Sequence, residues 1–247
     1  MTIERDEDLI ALRRIGAIVA AARDEIARHV APGVSTGDLD AIGRDVLVAH
    51  GARSAPQLAY DFPGATCISV NDEIAHGIPS SKKILEAGDV VNIDVSAELD
   101  GYWADCGASY PVADVSSIAR LLLWATRKAQ AEAMSAARAG KTLRDVAHAV
   151  ETRARRHGFR VVENLGGHGV GRHIHEAPHV ANHVRGAERK TLHEGLVLTI
   201  EPFLTTGSRV AVEDDDGWTL RTPDGSIGAQ FEHTFVVTKG APIVLTA

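Results

Sequence analysis

The sequence predicts an α+β fold of two related halves, each running helix, helix, strands. Three observations carry this expectation. The stretch PGVSTGDLDAIGRDVLVAHG from Pro32 is matched in outline by AGKTLRDVAHAVETRARRHG from Ala139. Gly33, Ser35, Asp38, His50 and Gly51 stand opposite Gly140, Thr142, Asp145, His157 and Gly158 at a constant offset of 107. The same offset carries GDVVNID, Gly88 to Asp94, onto GLVLTIE, Gly195 to Glu201. Finally, Asp100-Gly101 separates two strand-like runs, a strong signal for a two-residue hairpin. A duplicated unit of this kind packs about a pseudo-two-fold axis, with corresponding strands meeting near it. Asp94 and Glu201 are therefore expected to converge.

The elements follow in order. Apolar residues at helical spacing predict a first helix from Leu9 to Val30. Gly33 and the Ser35 cap open a second helix that ends at Gly51. The run VVNIDVSAEL then reads as a strand. With Asp100 and Gly101 as the loop, Leu99 faces Tyr102 and Asp105 faces Ser96, which leaves Asp94 diagonal to Asp105 on one sheet face. The second half repeats this plan, with a helix from Ile118 to Ala137 and a Thr142-capped helix ending at Gly158. In VLTIEPF, Glu201 sits in the middle of an apparent buried strand. AQFEHTFVV places Glu232 with Gln230 and Thr234 on one face of a strand, and Phe231, His233 and Phe235 on the other. A carboxylate taken out of water needs a cation or a set of donors to meet it. Four such acids in strands call for a cation.

Composition bounds the class. A chain of 247 residues, 45% hydrophobic, can fill a sizeable core. No apolar run approaches the ~18 residues of a membrane span, and the charged start MTIERDEDLIALRR does not read as a signal peptide, so a cytoplasmic address is expected. Cys67 and Cys106 lie 39 positions apart, without the spacing of a disulfide framework or zinc ribbon, and are expected to be reduced. A net charge of −7 argues against a general nucleic-acid binder, and the basic run RARRHGFR from Arg153 reads as a solvated helix face.

Histidines join the acids. His168 is flanked by glycines in NLGGHGVGRHIHEAP, with His173 and His175 following, and His76 precedes a turn in NDEIAHGIP. The glycines match neither nucleotide-binding spacing, and no G-x-S-x-G elbow is present. Four carboxylates and an imidazole suit Mn²⁺, Fe²⁺, Co²⁺ or Zn²⁺, and four negative charges balance two divalent cations. A binuclear hydrolytic centre is the inference.

The ordered set His76 in HGIP, Asp94 in NIDV, Asp105, His168 in GHGVG, His175 in HEAP, Glu201 in TIEP and Glu232 in QFEHT resembles the methionine aminopeptidases. The resemblance runs from about residue 10 to the C-terminus. It implies a pita-bread fold, antiparallel sheet covered by helices, in one catalytic domain over residues 1–247 whose halves span about 10–110 and 117–240. It further implies two divalent metal ions (Co, Mn, Fe or Zn) held by Asp94, Asp105, His168, Glu201 and Glu232. Catalysis would fall to His76, His175 and Glu201, with a hydroxide held between the metals as nucleophile. Substrate contacts would come from His76 and His175, and the methionine pocket from Phe62, Cys67 and Trp218.

The implied reaction removes the initiator methionine from nascent polypeptide N-termini when the second residue is small. A transient ribosome contact, no membrane partner and a monomeric state accompany it. Only 30 residues separate Glu201 from Glu232, which leaves no room for the insertion of type II enzymes and points to type I. Two positions depart from the type I pattern. Asp61 in LAYDFP replaces a glycine, and Ala75 precedes His76 where bacterial relatives often carry Cys. Xaa-Pro aminopeptidases and prolidases share the fold and ligand set but usually carry a preceding domain. A non-catalytic pita-bread binding protein would lose ligand acids, whereas all five positions are filled here.

Overall fold

The computed structural model describes residues 1–247. Its helices are α1 (Asp6–Arg28), α2 (Thr36–Ala49), α3 (Ala55–Tyr60), α4 (Ser117–Ala136) and α5 (Leu143–Arg156). Ser35 accepts from the backbone N–H of Asp38 while Asp38 reaches back, and Thr142 and Asp145 do the same for α5. Each capping box satisfies donors that a helix start leaves open. The offset of 107 is visible in the backbone. Gly33 and Gly140, Gly51 and Gly158, and Gly88 and Gly195 all have positive φ, pair by pair. Ser35 bridges Ile84 where Thr142 bridges Thr191.

Every strand pairing is antiparallel. The longest ladder joins Val90–Leu99 to Tyr102–Pro111, with Leu99 opposite Tyr102 and Ser96 opposite Asp105. Asp100 and Gly101 make its turn with φ of 53° and 82°, the two positive values that a type I′ hairpin demands. The register expected from sequence is the register found.

The helices cover these sheets with two apolar layers. Leu12, Ile15, Val19 and Ile26 of α1 pack in one core with Ile93, Val95 and Cys106, whereas Leu122, Ala125, Ala129 and Ala133 of α4 join Leu198, Ile200 and Phe235 in another. Both cores are built from one helix face at i, i+3, i+4 spacing.

Two acids are not where the strand reading put them. The strand with Glu201 ends at Ile200, and the chain resumes as Phe203–Thr205 in a different sheet. Pro202 has no N–H to give a ladder, which accounts for the break. Likewise the run around Glu232 is two strands, Gly228–Gln230 and His233–Val236. The two breaks face each other, because His233 pairs with Ile200 and Gln230 with Phe203. Both glutamates thus sit where a two-stranded ribbon passes from one sheet to the next. At that point the Glu232 N–H donates to Gly107 O at 2.7 Å, stitching the second half onto the first-half hairpin. Gly107 leaves room for the Gln230 amide there: a Cβ would lie 2.3 Å from it and force that side chain to shift.

Candidate metal centre and substrate recess

The hairpin brings Asp94 and Asp105 onto one face, and the ribbon break brings Glu201 and Glu232 against it. His168 comes from strand Gly166–Gly169. Its Nδ1 contacts Gly169 O at 2.9 Å, so Nδ1 carries the proton and Nε2 keeps a free lone pair. That Nε2 lies 3.6 Å from Glu201 Oε1 and 3.8 Å from Asp105 Oδ2. Ligand-type atoms of Asp105, His168 and Glu232 all fall within 4.8 Å of one another, and all three residues are buried.

Electrostatics shows that this cluster lacks a counter-charge of its own. Burial pushes the Asp105 carboxyl well up, and the charges of Glu232 and Asp94 push it further. Glu201 and Glu232 are raised well above the ordinary range, first by burial and then by neighbouring carboxylates. Burial raises Asp94 to about 6. His168 is driven down to about 3 by burial, then by His175, so its imidazole is neutral and ligand-competent. Asp105 Oδ1 and Glu232 Oε1 are buried without any hydrogen-bond partner. Two orphaned carboxylate oxygens beside a neutral imidazole are what a cation would satisfy. The residues present fit divalent metal.

Supporting residues escaped the sequence reading. Gln230 Nε2 donates to Glu232 Oε2 at 3.0 Å, and Gln230 Oε1 accepts from Asn92 Nδ2 at 2.9 Å. Ser109 ties the same Asn92 and the Gln230 backbone. The Thr199 hydroxyl accepts from the His168 N–H, and the Thr234 hydroxyl accepts from the Asp105 N–H and donates to its carbonyl. A signal existed: Asn92 and Gln230 each stand two residues before an acid, hence on its face.

A recess of ≈ 360 Å³ opens onto the acids. His76, directly after strand Glu73–Ala75, and His175, directly before strand Glu176–Ala181, line it. Both are solvent-accessible within the concavity, and burial lowers both pKa values. The His175 ring lies 4.3 Å from that of His168, centroid to centroid. The Tyr60 hydroxyl reaches His175 Nδ1 at 2.5 Å, a contact with no sequence signal because Tyr60 comes from the end of α3. Phe62 meets Trp218 edge to face at 5.2 Å, and with Cys67 these form the apolar side of the recess. Among the other histidines, His179 also lines it, while His173 does not. Asp61 adopts φ 57° as the C-cap of α3, which explains why a glycine could stand there and why Asp tolerates it. Ala75 lies in the recess wall.

Cys67 and Cys106 are free and buried, and no helix is long and apolar enough to cross a membrane.

Comparison with known proteins agrees with this geometry. The chain is 48% identical over 247 residues to methionine aminopeptidase 2 of Bacillus subtilis, covering 100% of this chain and 99% of that protein. The crystal structure of methionine aminopeptidase from Rickettsia prowazekii superposes with TM-score 0.94 at 37% identity, covering 100% of both chains. The prolidase from Pyrococcus furiosus, at 22% identity and TM-score 0.78 over 65% of its length, shares the fold alone. The α+β pita-bread architecture expected from the sequence therefore holds. The pattern of metallopeptidase family M24 matches residues 11–239, and the chain belongs to that family.

Proposed function

We propose that this protein is a methionine aminopeptidase, releasing the initiator methionine of nascent chains in the cytoplasm when the second residue is small. The observation that carries the reading is the buried cluster of Asp105, His168 and Glu232, with two unpartnered carboxylate oxygens, beside a recess that Asp94, Asp105, His168 and Glu201 line together with His76, His175 and apolar side chains. Full-length similarity to the methionine aminopeptidases supports it.

Asp94, Asp105, His168, Glu201 and Glu232 would hold two divalent ions, with cobalt, manganese, iron and zinc all compatible with the donor set. Bound there, the metals would activate water and polarise the scissile carbonyl. Glu201, buried and with its carboxyl pKa raised, is suited to take a proton from the attacking water and return it to the leaving amine. The Tyr60 hydroxyl is taken as the donor to Nδ1, so that His175 would keep its proton on Nε2 and donate it to the oxyanion. His76, neutral because burial lowers its pKa, would hold the backbone nitrogen after the scissile carbonyl. Phe62, Cys67 and Trp218 offer an apolar wall to the methionine side chain.

The test compares Met-Thr, Met-Ala, Met-Lys and Ala-Pro peptides of equal length, with and without chelator. Metal-dependent release from Met-Thr and Met-Ala alone is expected. Equal release from Met-Lys would remove the second-residue assignment, and preference for Ala-Pro would favour the Xaa-Pro reading.

A further inference from the structure

Charge is unevenly distributed along this chain. Residues 117–160, which hold α4, α5 and their connection, carry ten Lys and Arg against three Asp and Glu, although the whole chain has a net charge of −7. The structure gathers much of that excess at one end of the helix pair. Trp124 of α4 meets the His157 ring after α5 at 5.1 Å, and the Arg153 guanidinium lies 5.5 Å from the Trp124 ring centroid. These contacts set the first half of α4 beside the last turn of α5. Arg120, Trp124 and the Arg127-Lys128 pair recur at one-turn spacing, so they share the outer side of α4. All four are exposed, as are Arg155 and Arg156 in the last turn of α5 and Arg160 in the strand that follows it. Within this set only Arg153 is ion-paired, to Glu132.

A solvated helix face normally mixes signs and pairs them at i,i+3 or i,i+4. Here six exposed cations without an ion pair lie on the two helices that Trp124 joins and the strand that follows, with Arg153 against the indole. We propose that this α4–α5 face binds the phosphate backbone of RNA, with Trp124 as the platform for an unpaired base. Five of the six cations are arginine, whose planar fork matches phosphate oxygens two at a time. A base stacked on an aromatic ring adds affinity without demanding sequence. The face lies outside the recess, since none of these residues lines it, and the proposal stands independently of the peptidase reading. It revises the expectation that RARRHGFR is only a solvated surface: the sequence run supplies half the patch, and α4 supplies the other half from ~30 residues earlier.

The test titrates a short fluorescein-labelled single-stranded RNA with the full chain at several salt concentrations, reading anisotropy. Binding should weaken with salt, with a log–log slope of about −0.7 per phosphate neutralised. R127E/K128E and R155E/R156E should each weaken binding by roughly tenfold or more and flatten the slope. W124A should weaken it by about fivefold or more with the slope unchanged. R13E/K82E, the same change in net charge at exposed cations of the first half, should bind like the unaltered protein. Peptide hydrolysis should be the same in all of them. Absence of salt-dependent RNA binding, or equal loss in R13E/K82E, would overturn the proposal. So would binding to anionic phospholipid vesicles that needs the α4–α5 cations when RNA binding does not.

Discussion

The side-chain amide of Gln230 donates to Glu232 Oε2 across 3.0 Å while its oxygen accepts from Asn92 across 2.9 Å, so one buried side chain links the acids' two supporting strands. Groups that orient a metal ligand typically contribute about 10–100-fold to affinity. Gln230→Ala should therefore lower metal affinity by roughly that factor in a chelator competition, with the far-ultraviolet dichroism unchanged. Unaltered affinity would mean that Glu232 is oriented by something else.

The His168 and His175 rings lie 4.3 Å apart, tilted by 59°, yet are assigned different work. His175→Ala should lower kcat by about 10²-fold or more with metal content near normal, because its proposed work is on the oxyanion. His168→Ala should lose metal. Elemental analysis showing the two variants equally depleted would merge the roles.

Tyr60 carries no site signal in the sequence, and its hydroxyl contacts His175 Nδ1. One hydrogen bond is worth ~1 kcal/mol, so Tyr60→Phe should reduce kcat by about two- to tenfold and leave KM unchanged. A rise in KM alone would place the hydroxyl in substrate binding.

How much was legible follows from these same residues. Short-range rules found the Asp100-Gly101 hairpin, and with it the Ser96–Asp105 register that puts Asp94 and Asp105 on one face. The repeat at offset 107 pointed Glu201 toward Asp94 before any contact was seen. What failed was strand continuity: alternation survives through Gln230, Glu232 and Thr234, so the sequence pattern looks unbroken while the ladder changes sheets at Phe231 and Glu232. Contacts such as Tyr60 to His175, separated by 115 residues, depend on how the ends of elements dock, and no local pattern encodes that.

Charge balance gives a thermodynamic prediction. Asp105 is destabilised as a carboxylate by burial and by the Glu232 and Asp94 charges, so without metal the ionised cluster works against the fold. Metal at 100 times Kd stabilises by about 2.7 kcal/mol, a melting shift of roughly 5–11 °C at about 2–4 °C per kcal/mol. Asp105→Asn removes one charge and one expected ligand. It should melt no lower than the unaltered protein in chelator and gain much less from added Mn²⁺ or Co²⁺, reversing the order of stability. An equal gain from metal would show that Asp105 is not a ligand.

The proposal that Asp94, Asp105, His168, Glu201 and Glu232 hold metal is tested most directly by anomalous diffraction from crystals grown with Mn²⁺, collected near the manganese edge. Two peaks are predicted beside the recess, with the unpartnered oxygens Asp105 Oδ1 and Glu232 Oε1 among the coordinating atoms. An acid cluster without peaks, or peaks only at the exposed carboxylates of Glu213, Asp215 and Asp216, would contradict the account.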